Sequence, residues 1–118
     1  MSEAPHGSDA AAPPLEIEVE VFDRWRRDDP PPVVVDVREP WEVAICGFPE
    51  AAVIPLGNLA GRVAEVPADR PVVVICHAGL RSLRAAQFLR GRGRPLASSL
   101  RGGVEAWALR IDAAMPRY

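Results

Sequence analysis

The strongest pattern along the chain is Val72-Val73-Val74-Ile75, four β-branched residues without a polar interruption that run directly into Cys76. Bounded by Pro71 and by a Gly-containing loop, this run predicts a strand covered on both faces, as in the middle of a parallel sheet. Val33-Val34-Val35-Asp36-Val37 repeats the pattern with one acid near its end. Shorter apolar stretches at 15–17, 52–54 and 96–100 predict three more strands. Between them the period lengthens. Val21, Phe22 and Trp25 lie at helical spacing within 19–27, and Asp28-Asp29-Pro30-Pro31-Pro32 stops that element. Pro40 suits the first position of a helix running to about residue 45, which Gly47 and Pro49 break. Residues 59–66 predict a modest amphipathic helix. A further helix over 82–92 carries Leu83, Ala86 and Leu89 on one face with Phe88 beside them, and Gly91 and Gly93 stop it. Val104, Trp107, Ala108 and Ile111 form the i, i+3, i+4, i+7 stripe of a last, core-facing helix.

Strands that alternate with helices predict an α/β fold built on a mainly parallel sheet of about five strands. In such sheets chemistry gathers at the carboxyl ends of the strands. Cys76 ends one strand and Asp36-Val37-Arg38 ends another, so the two can meet at one edge. Residues 1–14 are rich in Ala, Pro, Ser and Gly without periodicity, and a disordered tail is expected there. Residues 15–118 then form one domain, without internal repeats.

Composition narrows the function classes. A net charge of −2 argues against a nucleic-acid partner. No apolar run approaches the roughly 18 residues that cross a bilayer, so no membrane partner is expected. The N-terminus has no basic start followed by an apolar core, and a cytoplasmic location is expected. Cys46 and Cys76 are too few for a disulfide framework, and with two histidines no metal-ligand cluster can be assembled. From Arg70 through Val104 there are seven arginines, Arg70 included, and no Asp or Glu. That stretch either draws in small anions or forms a solvated helix face.

The candidate chemistry lies in Cys76-His77-Ala78-Gly79-Leu80-Arg81-Ser82. A buried strand, a tight turn and a helix start would set the Cys76 sulfur at the bottom of a cup of backbone N–H groups. Such a cup binds anions and favours a thiolate over a thiol. Arg81 is expected to bind an anion or brace the loop, and Ser82 to cap the helix or hydrogen-bond within the loop. His77 tunes the thiolate, meets the substrate, or is simply exposed. Asp36 and Arg38 are expected to support the site from the neighbouring strand end through an ion pair. Cys46 reads as a small packing residue rather than a second reactive thiol. Trp25, Trp41 and Trp107 read as core or partly buried packing residues.

With these residues in hand, residues 15–118 resemble the rhodanese-like sulfurtransferases. Asp36-Val37-Arg38-Glu39-Pro40-Trp41-Glu42 looks like that family's "DVREPxE" segment, and residues 49–56 are similar to its "HIPGAxNIPL" segment. The Cys76 loop looks like the "CxxGxRS" active loop, and residues 100–107 like the "LxGGxxAW" ending. Gly47, Glu50 and Val53 depart from the His, Gly and Asn usual in that family. The resemblance implies a five-stranded parallel sheet between helices, no cofactor, and catalysis by Cys76. In that chemistry the thiolate takes the outer sulfur of thiosulfate or a persulfide donor, and a Cys76 persulfide passes it to a thiol or cyanide acceptor. Partners would be a small anionic sulfur donor, such an acceptor, and a sulfur-relay protein. Four residues separate Cys76 from Arg81, one fewer than in Cys-based phosphatases, which favours sulfur over phosphoryl transfer. A phosphatase or arsenate reductase of the same fold, and a non-catalytic relay or interaction module, are the alternatives.

Overall fold

The computed structural model describes residues 12–118. In chain order the elements are β1 (Glu16–Ile17), α1 (Val19–Trp25), β2 (Val33–Asp36), α2 (Pro40–Ile45), β3 (Ala52–Val53), α3 (Leu56–Leu59), β4 (Val72–Ile75), α4 (Leu80–Gly91), β5 (Ala97–Leu100) and α5 (Gly103–Arg110), with a 3₁₀ segment at Ala60–Glu65 after α3. The strands form one sheet in the order β1-β5-β4-β2-β3, and every pairing is parallel. The most apolar strand takes the central place, because both its faces are covered: Val72 to Ile75 are all buried.

Alternation along β2 and β4 splits the core in two. Val35, Val37, Val72, Val74 and Cys76 point to the side closed by Leu59, Val63, Val66, Ala85, Ala86 and Leu89. Val34, Val73 and Ile75 point to the side closed by Phe22, Trp25, Val104 and Trp107. There Phe22, Phe48 and Trp107 meet edge-on or tilted, with ring centroids 5.1–5.5 Å apart.

The stretch expected as a helix over 59–66 is different in the structure. A short α-helix begins three residues earlier, at Leu56, and gives way to 3₁₀ turns, with Arg62 outside helical geometry. The apolar period was real, for Leu59, Val63 and Val66 are all buried. Gly57 and Gly61 supply little intrinsic helix preference, so core packing sets the path instead. Helix α4 begins two residues before its expected start, which places Arg81 and Ser82 inside its first turn. The tail expected over 1–14 lies mostly outside the described residues. Of its last residues, Pro14 accepts a hydrogen bond from the Ser98 hydroxyl and Pro13 one from Arg90, so the chain is tied to β5 and α4 from Pro13 onward. No helix among the described residues is long and apolar enough to cross a membrane.

Candidate active site

Strands β2 and β4 are neighbours, with Asp36 opposite Ile75 and the Val37 amide donating to the Ile75 carbonyl. Their carboxyl ends therefore deliver Asp36, Arg38 and Cys76 to the same edge. Beyond Cys76 the chain turns at Gly79, whose φ of +100° suits glycine, and enters α4. A Cβ on Gly79 would lie 2.8 Å from the Gly102 nitrogen. The loop is thus pressed against the Gly102-Gly103 turn, and α5 holds it there. The Val104 and Glu105 amides, unpaired donors at a helix start, donate to the Cys76 and His77 carbonyls at 3.0 Å each.

Cys76 is 1% exposed, and its sulfur faces the start of α4. The Gly79 amide donates to Sγ at 3.1 Å and the Ser82 amide at 3.3 Å. Both are first-turn donors that the helix itself cannot satisfy, and the positive end of its dipole adds to them. The amides that reach the sulfur are thus those of Gly79 and Ser82. Sγ also lies 3.4 Å from Ser82 Oγ, and Ser82 Oγ lies 2.7 Å from Ser99 Oγ. Ser82 is thus an inward-facing residue of the first turn. It is not the cap, which is Gly79.

Arg81, expected to bind an anion or brace, does the second. Its two terminal nitrogens donate to the two Glu42 oxygens at 2.7 Å each. Hydrogen bonding from Arg81, with help from the Glu39 amide and Tyr118, outweighs burial and draws the Glu42 carboxyl down to about 2. Ala78 and Leu80 are exposed, Leu80 at 63%. Asp36 and Arg38 make the expected ion pair, fully buried, with Arg38 Nη2 at 2.7 Å from Asp36 Oδ2. Arg38 reaches on to the Cys46 carbonyl at 2.7 Å and the Tyr118 phenol at 3.1 Å. Burial opposes the Arg38 charge, but Asp36 and Tyr118 more than offset it and raise the group above its ordinary range. Gly47 leaves room for this guanidinium, since a Cβ there would sit 3.2 Å from Arg38 Nη2.

Three residues of this assembly escaped the sequence reading. Glu42 lies in the recognised segment but carries no signal of its own. Tyr118 donates to Glu42 at 2.9 Å and stacks on His77 with ring centroids 4.0 Å apart, which ties the end of the chain to the loop. Ser99 sits on the last predicted strand, with no charge or motif to mark it. Trp41 also departs from expectation: it is 63% exposed, not packed. Helix α2 turns Glu42 inward, and Cys46 just beyond it is buried too, so Trp41 is left on the outer face, edge-on to Tyr118.

A parallel five-stranded sheet with a cysteine loop at the edge of its central strand now stands beside the comparisons. The family model for the rhodanese-like domain matches residues 19–110. The chain belongs to the rhodanese-like family. It is 37% identical over 93 residues to a sulfurtransferase of Allochromatium vinosum, an alignment spanning 79% of this chain and 87% of that protein. It is 32% identical over 102 residues to the adenylyltransferase and sulfurtransferase MOCS3 of Arabidopsis thaliana, of which it spans only 22%. A rhodanese-like domain protein of Staphylococcus aureus superposes with a TM-score of 0.76 over 89% of this chain and 99% of that one, at 23% identity, and so shows the shared fold.

Proposed function

We propose that this rhodanese-like chain carries a sulfane sulfur on Cys76, taking it from thiosulfate or a persulfide donor. The observation that supports this most is the pair of amides on Sγ at a helix start, a setting complementary to negative sulfur. The Cys76 thiolate attacks the outer sulfur of thiosulfate, the S–S bond breaks, and sulfite leaves with the electron pair. Cyanide or a thiolate then attacks the outer sulfur of the persulfide, and the pair returns to Sγ. No separate general base is required, because both attacking groups are anions. With Arg81 committed to Glu42, the donor's charge meets main-chain N–H groups and the helix dipole rather than a free guanidinium. MOCS3 carries sulfurtransferase in its name beside a second activity, which supports a relay protein as one acceptor.

Incubation with thiosulfate and cyanide tests the reading. Thiocyanate forms with the wild type, and Cys76→Ser lowers the rate by at least about a thousandfold. Release of phosphate from an aryl phosphate, with no thiocyanate, would support a phosphatase instead. Inertness in both assays would leave a binding module.

A further inference from the structure

Ser98 and Ser99 are adjacent on β5, fully buried, and point to opposite sides. Ser98 donates its proton to the Pro14 carbonyl. Ser99 Oγ has one hydrogen-bond partner among the described residues, Ser82 Oγ at 2.7 Å, and Ser82 Oγ in turn has Cys76 Sγ at 3.4 Å. Each hydroxyl has one proton, so the direction of this short chain can be counted. With a thiol at Cys76, one proton is left over whichever way the chain runs: the Ser99 O–H if the S–H donates to Ser82, or the S–H itself if Ser82 donates to Sγ. With a negative sulfur, Ser99 donates to Ser82 and Ser82 donates to Sγ, and every proton has a partner. Only the negative sulfur satisfies all three groups, and an unmatched donor in a buried site is costly.

We propose that Ser99 is a positioning residue for sulfur discharge: it donates to Ser82 Oγ and so turns the Ser82 hydroxyl onto Cys76 Sγ as that sulfur becomes negative. The inference rests on the persulfide reading above. In discharge to cyanide, the carbon bonds to the outer sulfur, the bond between that sulfur and Sγ breaks, and its electron pair settles on Sγ. Thiocyanate and the Cys76 thiolate result. A donor held on Sγ assists a step in which charge arrives there, because a better stabilised thiolate leaves faster. In loading, charge departs from Sγ, and the same donor gives no assistance. Ser99 therefore separates the two half-reactions, which a purely structural residue cannot do.

Single-turnover kinetics on persulfide-loaded protein test this. Ser99→Ala slows discharge to cyanide about fivefold to tenfold, the effect expected for partial loss of one hydrogen bond to a charged group. Loading from thiosulfate stays within about twofold of wild type. Ser99→Thr, which keeps the hydroxyl, restores discharge. In a Ser82→Ala background Ser99→Ala adds nothing, because its route to the sulfur is gone. Wild-type discharge by Ser99→Ala, equal slowing of both half-reactions, or full additivity with Ser82→Ala would each overturn the assignment. A wild type that takes up no sulfur at all would remove the persulfide reading and this inference together, an outcome distinct from the other three.

Discussion

Glu42 accepts four hydrogen bonds, two from Arg81 and one each from Tyr118 and the Glu39 amide. Its carboxyl sits at about 2 against an ordinary value of 4.5, so the folded state holds it ionised more firmly than the unfolded chain does. The sign follows directly. The stability it contributes is complete above pH 4.5 and drains away as pH falls toward 2, amounting to about 3 kcal/mol at most. Urea unfolding of Glu42→Gln, followed from pH 5 to pH 2.5, should show a flatter pH dependence than wild type across that window. An unchanged slope would mean that Arg81 does not hold the ionised form. At this scale the sequence showed the placement of Cys76 and the Asp36–Arg38 pair, because each lies within a few residues of a strand end. It did not show Glu42 with Arg81, which are 39 residues apart, or Tyr118, which is 76 residues from Glu42. Spacing along the chain says nothing of partners that only the fold brings together.

The loop stays in place because the start of α5 lies directly against it. A Cβ on Gly103 would come within 2.4 Å of the Cys76 carbonyl and 2.5 Å of the His77 carbonyl, both backbone atoms that cannot swing aside. Gly103 also has a φ of +59°, where a side chain is disfavoured. Gly103→Ala is therefore expected to cost about 3 kcal/mol in denaturant unfolding and to depress sulfur transfer with it. Gly91, near the end of α4, is the matched control: nothing lies within 4 Å of its Cβ position, and Gly91→Ala should be neutral or stabilise by up to about 1 kcal/mol. Equal effects at the two sites would contradict the packing described. Elements with strong apolar periods, β2, β4 and α5, were legible in the sequence to within a residue or two. The segment after β3 was not, since two glycines leave its form to the surface it packs on.

Across the whole molecule the sheet separates the two cysteines. Cys76 belongs to the packing cluster on one face and Cys46 to the cluster on the other. Cys46→Ser should accordingly keep sulfur turnover within about twofold of wild type, and a collapse of turnover with loading intact would make Cys46 a participant. The arginine-rich stretch, which suggested an anion-attracting half, is largely used as bracing: Arg70, Arg90 and Arg94 donate to backbone carbonyls, and Arg81 is bound to Glu42. A count of charges along the chain does not reveal which are already partnered. The two amides that converge on the buried Cys76 sulfur remain the polarity offered to negative charge at this edge of the sheet. Intact-mass spectrometry after treatment with thiosulfate tests that most directly. If Cys76 takes up a sulfane sulfur, the wild type gains about 32 Da, one sulfur atom, and Cys76→Ser gains none. Wild-type protein that gains no mass, or a Cys76→Ser variant that gains as much, would contradict that uptake.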